Sequence, residues 1–470
     1  MVTCAGDIVI GGELRKPYAY VIGRLRLDEK WVCGYNTREM SSPLSKALNL
    51  KLYRSNLSIV EDGAASSVQA AAEAGGGVLR CFPSFVGRKF CLPGKNLELV
   101  DEDYFPEGRS GWAIDERWNG SAILADTGNG IHGEGLCHFH HPDGYLIPMD
   151  AAVHGAPNFM VGPLYRTLNG TGFYNKEFDN LYPLGHHMHP FKPEAYNFNP
   201  WRNKRYKNDW HTSVGLMEYV TEEMLADFVR DFIAGKDNHI RSHARNLLIR
   251  MGTGFFTPTR ILHGPAAVNT EEPQRDRDDF RFYQSHVLCP EGEVFLGQEL
   301  LFRHLPEGIE GEDRVQRLVS DIDMARNKDP FIVEKHLLMP VVDQEASQGG
   351  FHDEWRVYGK PNGDELFSLR QFELAPGAET ILTGPAALCI LHFCHGQGTI
   401  GNHKVEVKSG IRLGEPLDDE FVIPYGAAKT VGGIRLKNTS TTEPLVGTRC
   451  WGPEAWGHKM PKAPFETWPA

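Results

Sequence analysis

Between residues 221 and 250 the apolar side chains fall at helical spacing. Met224, Leu225, Phe228, Val229, Phe232 and Ile233 recur at four-residue steps, so they share one face of a helix. Thr221 stands at the N-cap position and Gly235 where such a helix would stop. The same periodicity predicts a second helix over 237–250, with Ile240, Ala244, Leu247 and Leu248 inward. The pair reads as a helical insertion in a β-rich chain, a packing element without catalytic role.

From about residue 365 onward the pattern changes. Short apolar runs at 367–374, 387–393 and 420–424 alternate with the turn sequences Ala375-Pro376-Gly377 and His395-Gly396-Gln397-Gly398, which predicts strands of a compact sandwich or barrel. The first 165 residues are rich in glycine and loops, with a strand-like run over 18–27. They read as a β-containing N-terminal region. Two distant segments share a local form, an apolar strand running into proline with a polar side chain five residues later: Pro258 with His263, and Pro424 with Lys429.

Composition narrows the class. A chain of 470 residues can bury large cores and suggests two or three domains. Its 50 glycines and 30 prolines favour a turn-rich, mainly β architecture over a helical bundle. A formal charge of -12 argues against nucleic acid as a partner. The basic run Trp201-Arg202-Asn203-Lys204-Arg205-Tyr206-Lys207 reads as an exposed loop. Nine cysteines without a CxxC pair indicate neither a disulfide framework nor a zinc ribbon, so reduced thiols and a cytoplasmic location are expected. No leader and no run of 18 apolar residues is evident, so no membrane partner is expected. The glycine clusters Gly75-Gly76-Gly77 and Gly128-Asn129-Gly130 lack a Walker lysine or the GxGxxG sequence.

The sharpest chemical signal is Gly185-His186-His187-Met188-His189-Pro190-Phe191-Lys192-Pro193-Glu194. On a strand, His187 and His189 project to one face. The two prolines make a turn, after which Glu194 opens a new strand and can return to that face. Two neutral imidazoles and a carboxylate suit a divalent metal, iron, manganese or zinc among them, and leave positions open for a substrate. A fourth ligand is expected from elsewhere in the sheet. A second histidine cluster, His138, His140 and His141, has only Glu134 and His154 nearby as partners and reads as a loop.

These residues resemble the first conserved motif of the cupin superfamily, in which HxH after glycine is followed by glutamate. Pro258-Thr259-Arg260-Ile261-Leu262-His263 is similar to the second motif, PxGxxH, with Arg260 in place of glycine. The resemblance implies a mainly β fold of two cupin (jelly-roll) barrels, with His263 as fourth ligand beside His187, His189 and Glu194. It also implies an altered turn at Arg260. In Pro424-Tyr425-Gly426-Ala427-Ala428-Lys429, Lys429 stands where the second barrel would have its histidine, so that barrel is expected to be degenerate.

The expected organisation is an N-terminal region over 1–164, a metal-binding barrel over 165–290, a connecting segment over 291–360, and the degenerate barrel over 361–470. The resemblance implies a metal-dependent enzyme on a small polar, carbohydrate-derived molecule, most simply an aldose–ketose isomerase. Lys192, Arg260 and His186 are the auxiliary catalytic candidates, Arg260 hinting at an anionic substrate. An iron-dependent dioxygenase that cleaves a carbon–carbon bond is the alternative. A non-enzymatic metal- or sugar-binding bicupin is the third option. The resemblance also allows a homodimer, since cupins often dimerise through barrel edges.

Overall fold

A computed structural model describes residues 68–470 apart from 106–110, 122–124, 126–134, 136, 143–145, 150–163, 170–183, 204–210, 266–267, 276–277, 290–291, 431 and 469–470. Before residue 68, and over 164–169, backbone strands alone are described. The expectations for residues 128–130, Glu134, His154 and 204–207 lie outside the described residues.

The architecture is mainly β. One seven-stranded antiparallel sheet runs, in spatial order, Leu337–Leu338, Gly254–Thr257, Glu194–Asn197, Asn269–Gln274, Leu164–Asn169, Ala113–Asn119 and Ser84–Arg88. A five-stranded sheet faces it, ordered Ala244–Leu248, His211–Leu216, His263–Gly264, His187–Met188 and Arg281–Phe282. The C-terminal half repeats the plan with nine strands, among them Glu420–Ile423, Cys389–His395, Leu445–Trp451 and Ser368–Leu374. Opposite these lie four more, Glu379–Leu382, Ile434–Asn438, Gln397–Ile400 and His403–Glu406. All of these sheets are open, so the described strands form paired sheets rather than closed rings.

Strands from the N-terminal third are built into both halves. Ser84–Arg88 and Ala113–Asn119 extend the seven-stranded sheet, while Leu79–Phe82 and His138–His140 extend the nine-stranded one. The turn between 82 and 84 thus carries the chain from one half to the other.

The helix expected after Thr221 is present over Glu222–Ile233, and the Thr221 hydroxyl accepts from the Met224 amide at 3.1 Å, which satisfies one of the helix's orphan donors. Gly235 takes φ +69, beyond its end. The second expected helix is not there. Residues Ile240–His243 form a 3-10 turn, and Ala244–Leu248 is an edge strand paired with His211–Leu216. Its apolar spacing served both geometries, and pairing to an unfilled sheet edge outweighs a weak helical pattern. Leu248, expected inward, is exposed. The first helix packs instead on Gly311–Ser320, within the segment expected only to connect, through Leu225, Val229, Phe232, Val315 and Leu318.

Among the described residues no helix is long and apolar enough to cross a membrane. Seven cysteines among them, from Cys81 to Cys450, are buried.

Candidate metal centre

His187 and His263 lie on neighbouring antiparallel strands in direct register, so the ladder itself sets their rings side by side, with centroids 4.4 Å apart. His189 follows two residues on and turns its ring to both, at 5.0 Å from each. Glu194 begins the strand that pairs with Gly254–Thr257 on the opposite sheet, and it reaches across the interior. The four side chains are buried, none more than 3% exposed. Among the described residues one group of metal-ligating side chains converges, with the ligand atoms of His187, His189 and His263 within 4.8 Å of one another.

The hydrogen bonds settle which ring nitrogen faces inward. His187 Nδ1 lies 2.7 Å from the Gly185 carbonyl, His263 Nδ1 lies 2.8 Å from the Ile261 carbonyl, and His189 Nδ1 is bonded to the Asp279 carbonyl. A carbonyl only accepts, so each Nδ1 donates. Burial, reinforced by the other imidazoles, pushes His187 well below the usual range, and burial takes His189 down to about 4. The His187 and His189 rings are therefore neutral near pH 7, with Nε2 lone pairs pointing inward.

Nε2 of His189 lies 3.0 Å from Glu194 Oε2, and Nε2 of His263 lies 3.1 Å from Glu194 Oε1. Neither nitrogen has a hydrogen-bond partner. In the neutral form that donates from Nδ1, each contact sets an acceptor against an acceptor, which is unfavourable unless a cation lies between. Two ligands at ~2.1 Å from a common ion and at a right angle stand ~3.0 Å apart, which matches. The residues present fit a divalent metal.

Around the carboxylate, Tyr196 donates its hydroxyl to Glu194 Oε1 at 2.6 Å, and Lys192 Nζ lies 2.7 Å from Oε2. Burial by itself would raise the Glu194 carboxyl, but His189 and Lys192 beside it hold the group well below the ordinary carboxylate range. Lys192 is fully enclosed, with Gln274 and Glu272 as its other partners. A space of about 20 Å³, room for one water, lies against His187 and His189. Arg88 bounds it, clamped between Glu116 at 2.9 Å and Asp278 at 3.1 Å, together with Phe280 and Phe282.

The other sequence candidates fare differently. Lys192 is at the cluster. His186 points the opposite way along its strand, with Nδ1 3.1 Å from the Ser213 hydroxyl. Arg260 is exposed and outside the site, where its guanidinium donates to the Asp321 and Ser320 carbonyls. The turn there is not rebuilt around the missing glycine: Arg260 itself adopts the left-handed conformation, φ +67. Lys429 is exposed on the short helix Tyr425–Thr430 rather than inside a barrel. His140, in the second histidine cluster, is held at about 4 by burial and then by Arg80, His403 and His138.

Tyr196, Glu272 and Gln274 were not anticipated. Tyr196 stands two residues after Glu194, which puts it on the same strand face, so it was within reach of the alternation rule. Asn269–Gln274 contains Pro273, which argues against a central strand, and hid the other two.

No known protein family and no curated protein matches the chain. Among solved structures it is similar to the mannose 6-phosphate isomerase from Bacillus subtilis, at 13% identity, 79% of this chain, 99% of that chain and a TM-score of 0.46. It is similar also to a putative mannosephosphate isomerase from Archaeoglobus fulgidus, at 12% identity, 80% of this chain, 98% of that chain and a TM-score of 0.49. A third is a mutant phosphomannose isomerase from Salmonella typhimurium, at 11% identity, 80% and 99% coverage and a TM-score of 0.47. Likeness at this level decides no chemistry.

Proposed function

We propose that the chain is a metal-dependent enzyme acting on a small hydroxyl-bearing molecule of carbohydrate type, and that its reaction is aldose–ketose isomerisation. The observation that carries this is the convergence of three imidazoles on Glu194 with Lys192 Nζ 2.7 Å from the same carboxylate. His187, His189, Glu194 and His263 would hold the ion, iron, manganese or zinc. When bound, a divalent ion supplies Lewis acidity toward carbonyl and hydroxyl oxygens.

The chain's own groups do the rest. Backbone carbonyls at Gly185, Ile261 and Asp279 fix the ring orientations, and enclosure by Phe280 and Phe282 leaves room for about one water beside them. Arg88, held by Glu116 and Asp278, bounds the small space beside His187 and His189. Isomerisation consumes no co-substrate: a proton leaves the carbon beside the carbonyl and returns to the former carbonyl carbon. Lys192 Nζ, in its neutral amine form, would take up that proton and return it. On this proposal the two sheet pairs are two cupin-type barrels, near 165–290 and 361–470, and only the first carries a ligand set. The setting is cytoplasmic, as a monomer or homodimer.

Metal analysis of protein purified without chelator, combined with sugar conversion and oxygen uptake, tests this. One ion per chain and aldose–ketose conversion without oxygen consumption is expected, with Lys192→Gln keeping the metal and losing turnover. Iron with substrate-dependent oxygen consumption would overturn the isomerase in favour of a dioxygenase.

A further inference from the structure

The three imidazoles are not aimed in the same way. His187 Nδ1 and His263 Nδ1 each bond to a carbonyl two residues back in their own segment, at Gly185 and Ile261. Their orientation is set locally. His189 Nδ1 bonds instead to the carbonyl of Asp279, 90 residues further along the chain. His189 also lies one residue beyond the strand His187–Met188, whose pairing with Arg281–Phe282 ends at Met188 and Arg281. The Arg260 amide holds the His189 carbonyl at 2.9 Å, a bond that fixes the main chain and not the ring. The aim of this one ring therefore depends on a distant segment staying beside a turn that the ladder no longer holds.

The Asp279 side chain keeps it there. Its Oδ2 accepts from the Phe191 amide at 3.0 Å. One residue thus grips the turn on both sides of Pro190, which has no amide of its own to offer: the carbonyl takes the His189 ring and the carboxylate takes the Phe191 main chain. Asp279 is buried, and a carboxylate accepting from an amide makes the stronger kind of hydrogen bond. The same short segment supplies Asp278 to Arg88, and Phe280 and Phe282 to the space beside His187 and His189.

We infer, on the reading that His187, His189, Glu194 and His263 hold a divalent metal, that Asp279 is a positioning residue for that centre and acts through His189. Its carboxylate clamps the turn, its carbonyl stays within reach of the ring, and Nε2 stays aimed at the ion.

Cobalt(II) is the probe, titrated into the full chain after chelator treatment and in competition with a chromophoric chelator, with the visible spectrum of the loaded protein recorded. Wild-type protein should take up one cobalt per chain. Asp279→Ala should bind it ~10- to 100-fold more weakly, the usual cost of losing a group that orients a ligand, and its spectrum should shift because the ligand set around cobalt changes. Asp279→Asn keeps an acceptor for the Phe191 amide and should restore both affinity and spectrum. Asp279→Ser, whose hydroxyl stops one bond short of that amide, carries the alanine expectation if the alanine protein does not fold. A role confined to folding would lower the denaturant midpoint and leave the cobalt spectrum at wild type. That outcome overturns the assignment of Asp279, as does wild-type affinity in Asp279→Ala or no recovery in Asp279→Asn, each with wild-type uptake intact. Wild-type protein that takes up no cobalt overturns the metal reading and the role of Asp279 with it.

Discussion

Between the seven- and five-stranded sheets the inward positions carry His187, His189, Glu194, Lys192 and His263, all buried, with the His189 and His263 Nε2 atoms unpaired. Between the nine- and four-stranded sheets, the equivalent inward positions carry Phe372, Leu391, Phe393, Phe421 and Leu436, closely packed. Both halves are paired antiparallel sheets, so the difference lies in side chains rather than in the frame. A polar interior is unfavourable without a cation, whereas an apolar one stabilises by burial alone. One half therefore gives up stability at a buried polar cluster, and the other supplies stability.

The largest contrast is expected from removing one group on each side. His189→Ala should abolish bound metal, because it deletes one of three convergent imidazoles. Lys429→Ala, on the exposed helix of the other half, should leave metal content unchanged. Elemental analysis of both proteins checks this, and full metal retention by the His189 variant would mean the centre lies elsewhere. Conversely, Phe393→Ala should cost ~3–5 kcal/mol of stability, since Phe393 is fully buried and meets Phe372 and Phe421 edge-on at 5.7 and 5.8 Å. Its metal content per folded chain should not change. Denaturant unfolding alongside metal analysis separates the two outcomes.

Much of this contrast was legible in the sequence, for identifiable reasons. The HxH pair and Glu194 are local, and strand alternation fixes which way they point. His263 stands far along the chain, and its placement needed the ladder that sets it opposite His187. The strands at 367–374 and 387–393 appeared within two residues of their expected ends, as Ser368–Leu374 and Cys389–His395. What stayed hidden depends on tertiary pairing. Ala244–Leu248 became an edge strand because a neighbour was there to pair with, and Pro273 disguised the strand that brings Glu272 and Gln274 to Lys192.

The seam between the halves gives a pH-dependent test. Arg117, on the side of the candidate metal centre, reaches Asp419 at 2.6 Å and Glu420 at 3.0 Å on the other. Burial pushes the Glu420 carboxyl up to about 7, against the opposing pull of Arg117. A folded state that binds a proton more tightly than the unfolded chain loses stability as pH rises. Between pH ~4.5 and ~7 this group should therefore cost roughly 3 kcal/mol, fully incurred above pH 7. Glu420→Gln should flatten that slope, measured on chelated protein so that metal affinity does not enter. An unchanged slope would show that Glu420 is not the titrating group.

The smallest effect should come from Arg260, the position where glycine was expected. A non-glycine residue in the left-handed region costs ~1–2 kcal/mol, yet hydrogen bonds from its amide, carbonyl and guanidinium hold this one in place. Its amide donates to the His189 carbonyl at 2.9 Å, its carbonyl accepts from Asn327 Nδ2 at 3.0 Å, and its guanidinium donates to the Ser320 and Asp321 carbonyls. Arg260→Gly keeps the backbone contacts and relieves the strain, but it loses the guanidinium anchors and adds freedom to the unfolded chain. These terms oppose one another, so unfolding should shift by no more than ~1 kcal/mol. Metal content and turnover should be unchanged, because the side chain points away from the imidazoles. Loss of turnover with folding intact would return Arg260 to the site and undo the division drawn here between its backbone, which supports His189, and its side chain, which does not reach the metal centre.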